Sequence, residues 1–156
     1  MIIEKAKEMD AEEILTLQRL CYIGEAEIYS DYTIPPLIQT LDEIKAEFKN
    51  YYFLKAVDDG KTIGSVRARI SEPGTCYIGR LIVHPDFQNQ GIGTALMDEI
   101  EKIFHECERW ELMTGHLSKK NVKLYENLGY NIFKAEELTP DLNLVYFEKI
   151  NENKKG

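Results

Sequence analysis

The spacing of apolar side chains changes character several times along this chain. Ile2 and Ile3 open a short strand. Asp10-Ala11-Glu12-Glu13 has the form of a capping box with Asp10 as cap, and predicts a helix burying Ile14, Leu17 and the region of Cys21. Helical spacing fails from Tyr22 to Thr40, where Pro35-Pro36 forbids a continuous helix. This stretch is expected to be a loop carrying Gly24, Glu25, Glu27, Tyr29, Asp31 and Tyr32, and a loop of such length inside a compact domain is often functional. Thr40 to Glu43 forms a second capping box before Ile44 and Phe48. Tyr51 to Val57 reads as a strand, and Asp58-Asp59-Gly60-Lys61 as a hairpin turn. The next strand alternates, with Gly64, Val66, Ala68 and Ile70 on one face and Ser65, Arg67 and Arg69 on the other.

Pro73-Gly74 turns the chain into its central stretch, a strand ending in Leu81, Ile82 and Val83 that Pro85 terminates by removing a backbone donor. Helical spacing resumes after Gly91, with Ile92, Ala95, Leu96, Ile100, Ile103, Phe104 and Cys107 on one stripe. Trp110 to Thr114 is a further strand, and Ser118 to Leu128 a helix with Ser118 as N-cap and Gly129 just past its end. Tyr130 to Phe133 and Leu142 to Ile150 give two last strands. Hairpins followed by a strand–helix–strand unit predict one mixed α/β domain over residues 1–150, with 151–156 as a polar tail that frays.

Chemistry concentrates in Gln88-Asn89-Gln90-Gly91-Ile92-Gly93-Thr94, at the mouth of the central helix. Its first N–H groups lack internal partners, the helix dipole favours an anion there, and glycine lets the backbone approach a ligand: a phosphate cradle built from main chain. A P-loop would need Gly-Lys-Ser/Thr, which does not occur. A dinucleotide fingerprint is matched by Gly91 and Gly93 and by the spacing to Glu111, but its third small residue is replaced by Leu96. The third pattern is Gln/Arg-x-x-Gly-x-Gly/Ala following Val-x-Pro, which Val83-His84-Pro85, Gln88, Gly91 and Gly93 satisfy. In this the chain resembles the GNAT superfamily of N-acetyltransferases. So does a second motif, in which Asn121 and Tyr125 share one helix face ahead of Gly129-Tyr130.

The resemblance implies a mixed, mostly antiparallel sheet of about six or seven strands flanked by about four helices. It implies transfer of acetyl from acetyl-CoA, by direct attack in a ternary complex, to a primary amine of a small molecule or peptide. The backbone from Gln88 to Thr94 would hold pyrophosphate. Pantetheine would lie where the strand of Leu81, Ile82 and Val83 splays from the next, with Asn121 bonding its arm. A free N–H near Leu81 or Ile82 would steady the oxyanion, and Tyr125 would donate to the leaving sulfur. Many members carry a glutamate base just before the Leu-x-Val stretch; Gly79-Arg80 stands there instead. His84, His116, Glu25 and Glu27 are then the candidate bases, beside relay through water. Glu25, Glu27 and Asp31 could pair with a cationic acceptor and Tyr29 and Tyr32 pack on it, with His116 nearby. The same segment also reads as a solvated acidic loop. Arg67 and Arg69 read as surface charges, or as receivers of a substrate carboxylate.

Composition adds boundaries. The 156 residues carry 44% apolar side chains, enough for one core, and no run approaches transmembrane length. Met1 to Glu8 is too charged for a signal peptide. Cys21, Cys76 and Cys107, widely spaced, suggest reduced thiols in a cytoplasmic protein. The net charge of −8 argues against nucleic-acid binding and is compatible with attraction of a cationic amine. A non-catalytic acyl-CoA-binding module and a dinucleotide-dependent oxidoreductase are the competing readings. The hairpin-rich first half speaks against the latter. A homodimer mate completing the acceptor cleft is left open.

Overall fold

The computed structural model describes residues 1–154. Seven strands form a single sheet: β1 (Ile2–Lys5), β2 (Tyr52–Asp58), β3 (Lys61–Glu72), β4 (Thr75–Val83), β5 (Arg109–Gly115), β6 (Asn131–Thr139) and β7 (Leu142–Ile150). Their order is β1-β2-β3-β4-β5-β7-β6, antiparallel throughout except for the β4–β5 pair. Among the described residues five α-helices accompany it: α1 (Ala11–Tyr29), α2 (Pro35–Ile38), α3 (Leu41–Glu47), α4 (Ile92–Ile103) and α5 (Lys119–Asn127).

Strand alternation divides the core between the two faces of the sheet. Leu54, Val66, Ala68, Cys76 and Ile78 pack against Ile92, Leu96, Met97 and Ile100 of α4, and the same cluster takes in Tyr125 of α5 and Phe147 of β7. Phe53, one residue from Leu54, faces the other way and joins Ala11, Ile14 and Leu15 of α1 and Ile44 of α3. Both faces of β3 are therefore covered. Arg67, expected at the surface, is only 8% exposed, ion-paired with Glu47 and stacked on the Tyr51 ring at 4.1 Å. Arg69, exposed as expected, shares that ring at 5.5 Å.

Local expectations hold where backbone geometry alone decides. Asp59 and Gly60 both take positive φ in the β2–β3 turn, as does Gly129 after α5. Thr40 and Glu43 exchange both bonds of their capping box, at 2.9 and 3.2 Å. Asp10 does not cap α1: its carboxylate accepts from Lys7 N–H at 2.8 Å and from Lys55 at 3.0 Å. Nor does the chain fray at Asn151, whose buried side chain donates to the carbonyls of His105 and Cys107.

The largest departure is α1, which runs without interruption through Tyr22 to Tyr29. Gly24 costs such a helix about 1 kcal/mol relative to alanine, a local penalty that buried Ala26 and the contacts of Tyr29 offset. The expected acidic loop shrinks to the segment after Ser30, whose left-handed φ of 51° ends the helix.

Candidate active site

The sheet opens at its centre. β4 and β5 pair only over Thr75–Arg109, Cys76–Trp110 and Tyr77–Glu111. Beyond Tyr77, β4 follows β3 while β5 follows β7. A bulge accompanies the parting: Ser65 opposes Ile82 but Arg67 opposes Gly79, so β4 carries one extra residue. Arg80 within the bulge has φ +51°, a left-handed conformation that arginine rarely adopts. The strand edges facing the gap carry main-chain groups that sheet pairing leaves for a ligand.

A cleft of about 280 Å³ occupies this gap. Gly79, Arg80 and Leu81 line it from β4, Leu112 to Gly115 from β5, Asn121 and Tyr125 from α5, and Tyr22, Glu25 and Tyr29 from α1. The structure thus brings together Leu81, Asn121, Tyr125, Glu25 and Tyr29 among the residues singled out from sequence. Ile82 points its side chain into the core and offers only main chain. Val83 packs beside the cleft against the main core.

Other expectations are corrected by placement. Glu27 and Tyr32 are exposed outside the cleft: α1 places 25 and 29 on one face and turns 27 away, and Tyr32 lies past the end of the helix. His116 lies outside as well, its Nδ1 engaged with Asn143 across the β5–β7 pair. His84 turns into its own loop and accepts from Asp86 N–H at 3.0 Å. Of the four candidate bases, only Glu25 lines the cleft.

Glu25 is held by a directed chain. Leu117 N–H donates to the Tyr29 hydroxyl at 2.9 Å, which stands 3.1 Å from Ser118 Oγ. Ser118 Oγ–H donates in turn to Glu25, so the Tyr29 proton points at Ser118. Asn121 Nδ2 approaches both Glu25 and Thr114 Oγ1 at 3.4 Å. Ser118, expected to cap α5, makes no such bond and spends its hydroxyl here. Gly115 is the small residue that admits Tyr29: a Cβ there would lie 2.0 Å from the hydroxyl oxygen.

Tyr125 is 6% exposed, with its ring against Tyr130 and Phe147 at 6.2 and 5.7 Å. Burial pushes its phenol pKa well above the ordinary value, and the Glu25 carboxylate adds to the rise. Its proton is therefore retained throughout the physiological range, leaving a hydrogen-bond donor at the cleft wall.

At the mouth of the gap, Gln88-Asn89-Gln90-Gly91 leads into α4 with Asn89 and Gly91 both at positive φ. Gly91, the N-cap, has no side chain over the first turn, so the N–H groups of Ile92, Gly93 and Thr94 are not consumed by a cap. Alternating backbone handedness of this kind turns N–H groups into an anion-binding concavity. Gln88 itself donates to Val83 carbonyl at 3.2 Å, pinning the loop to β4. A Cβ on Gly93 would find only ordinary contacts with Leu124, Val83 and Leu81, so protein packing does not demand glycine there.

An open parallel pair, an uncapped helix N-terminus beside it and a buried phenol donor within form one connected site. The chain belongs to the GNAT family of acetyltransferases: the profile described as Acetyltransferase (GNAT) family matches residues 4–130. A Bacillus subtilis (strain 168) protein described as UPF0157 protein YqkA is 34% identical over 128 residues, 81% of this chain and 35% of that protein. The chain thus spans about a third of that relative's length. Among solved structures, smu.2055 from Streptococcus mutans UA159 aligns with a TM-score of 0.82 at 17% identity, covering 97% of this chain and 100% of the other. An aminoglycoside 6'-N-acetyltransferase complexed with coenzyme A aligns at 0.76 and 18%, covering 97% of each chain. These two likenesses are of fold. Among the described residues no helix is long and apolar enough to cross a membrane.

Proposed function

We propose that this protein transfers the acetyl group of acetyl-CoA directly to a primary amine of a small molecule or peptide within a ternary complex. The observation that carries the reading is the meeting of Asn121, Tyr125 and Glu25 in the gap between β4 and β5, with the uncapped α4 N-terminus at its mouth. In this reading the amides of Gln88 to Thr94 grip pyrophosphate, the free edge of β4 at Leu81, Ile82 and Val83 bonds pantetheine, and Asn121 orients the arm. The CoA-complexed aminoglycoside acetyltransferase of like fold supports the choice of co-substrate.

The amine nitrogen forms a bond to the thioester carbon, and the carbon–sulfur bond breaks. Glu25, whose protein donors are Ser118 and Asn121, takes the proton the amine sheds, directly or through water. Tyr125 donates to the departing sulfur. A main-chain N–H of the bulged β4 segment steadies the oxyanion.

Thermal shift against acetyl-CoA, ATP and NAD(P) tests the co-substrate. Acetyl-CoA at a hundred times its Kd should stabilise by about 2.7 kcal/mol, on the order of 5–10 °C for a domain of this size. A shift with NAD(P) alone would move the protein to the oxidoreductases. An amine panel read by released thiol then tests turnover, and stabilisation by acetyl-CoA with no amine consumed would make it a binding module. Glu25→Gln should lower kcat by about 10²-fold with CoA affinity retained. A kcat equal to wild type would take Glu25 out of the base role.

A further inference from the structure

Positive charge collects on one wall of the cleft beyond what the protein itself neutralises. Arg67 and Arg80 both line it, and among the described residues Glu47 alone forms an ion pair with either. Glu47 bonds Arg67 and is also held by Gln39. Among the described residues Arg80 has no carboxylate within ion-pair distance, and its side chain meets Gln39 Oε1 at 3.4 Å. Two guanidinium charges thus stand against one paired carboxylate, and Glu25, the other carboxylate of the cleft, forms an ion pair with neither. Arg109, on the next strand, shows what a satisfied arginine looks like here: Glu111 at 2.9 Å and Glu148 at 3.0 Å.

A second observation is independent of that count. Arg67 Nε is buried and has no hydrogen-bond partner in the protein, on a residue only 8% exposed. Leaving such a donor unpaired is costly. Gly79, which lines the cleft, lies beside it: a Cβ there would sit 3.8 Å from that nitrogen. The phenols of Tyr22 and Tyr77 flank the same wall. Burial draws the Arg80 pKa below its usual value, as expected of a guanidinium stripped of water without full compensation.

Glu25 and Tyr125 line the same cleft, and the remaining lining is largely apolar, from Ile34 after α1 and Leu138, Leu142 and Leu144 of the β6–β7 hairpin. We infer that the acceptor is a small aminocarboxylate on an apolar frame, its carboxylate received by Arg80 and Arg67 and its amine presented toward Glu25 and Tyr125. The inference rests on the acetyltransferase reading for the fate of the amine, but the carboxylate subsite is readable by binding alone. A bidentate guanidinium suits a carboxylate in geometry as well as charge. It also gives a purpose to the bulge, which aims Arg80 into the cleft where a strand base would otherwise stand.

The test is calorimetric titration of the full chain, with and without saturating CoA, using N-acetyl-leucine, N-acetyl-methionine and N-acetyl-phenylalanine against their amides. Each pair differs at the carboxyl group alone. The acid of at least one pair should bind about 10-fold tighter or more than its amide, the range of a charge-assisted hydrogen bond. Arg80→Gln should shrink that gap to within about twofold, and Arg80→Lys should restore part of it. Arg80 is the residue to vary first, since removing Arg67 strips Glu47 of its ion pair and endangers the fold. No acid outbinding its amide, or a gap that survives Arg80→Gln, overturns the inference. The two readings fail separately: acid preference without any acetyl-CoA stabilisation refutes the transferase and leaves the carboxylate subsite standing. Turnover of amines blind to the carboxylate does the reverse.

Discussion

Tyr125→Phe is expected to lower kcat by about 10²–10⁴-fold while CoA affinity stays within about twofold, since a positioned acid acts on the leaving group and not on the bound co-substrate. The ring would remain packed on Tyr130 and Phe147, so the fold should survive. Only the O–H at the cleft wall is lost. The raised pKa matters for how the residue acts. The phenol stays protonated across the working range, so Tyr125 should not set the alkaline limb of the pH–rate profile. Single-turnover measurement with the best amine, alongside calorimetry with CoA, separates chemistry from binding. A variant with wild-type single-turnover rates would leave Tyr125 as a core aromatic and no more.

Gly115→Ala should be the most damaging single-methyl change in the acceptor half of the site. The added Cβ would meet the Tyr29 hydroxyl oxygen at 2.0 Å and its ring carbon Cζ at 2.5 Å. Tyrosine has too few torsions to step aside, so the end of α1 must move. The chain from Leu117 N–H through Tyr29 and Ser118 to Glu25 then breaks. Each broken bond that leaves a buried group unpaired costs about 1–3 kcal/mol. Denaturant unfolding should show a loss in that range, and acceptor kcat/KM should fall about 10-fold with CoA binding retained. Tyr29→Ala removes the clash, so in that background Gly115→Ala should add little, a non-additivity that a double-mutant cycle measures. Additive losses would show that Gly115 acts by some route other than Tyr29.

Which of these residues could be found from sequence followed from how local their causes are. Asn121, Tyr125 and the Gln88–Thr94 loop were visible because each sits in a short motif whose spacing is fixed by one helix or one turn. Glu25 and Tyr29 were named, but for a loop; they reach the cleft because α1 continues past Gly24 and sets them four apart on one face. Glu27 shares that expectation and fails it because the same helix turns it away, while Tyr32 lies past the helix end and outside the cleft. His84 and His116 fail because neighbouring backbone claims their ring nitrogens. The position of Ser118 predicts a cap, but its hydroxyl bonds Tyr29 and Glu25 instead. Arg80 was noticed only as the absence of a glutamate, and nothing in a sequence announces that a bulge will turn its side chain into a cleft.

By itself, then, the sequence determined what short range can decide. It determined the capping box at Thr40, the turn at Asp59-Gly60, the glycine-led N-terminus of α4, the Asn121/Tyr125 face and the family these imply. The tertiary structure alone decided that α1 runs on to Tyr29 and that Arg67 is buried beside Glu47. It also decided that β4 and β5 part after Tyr77 and that Glu25 and Tyr125 line one cleft. These depend on contacts between residues far apart in the chain, where burial and packing outweigh the preference of any local stretch.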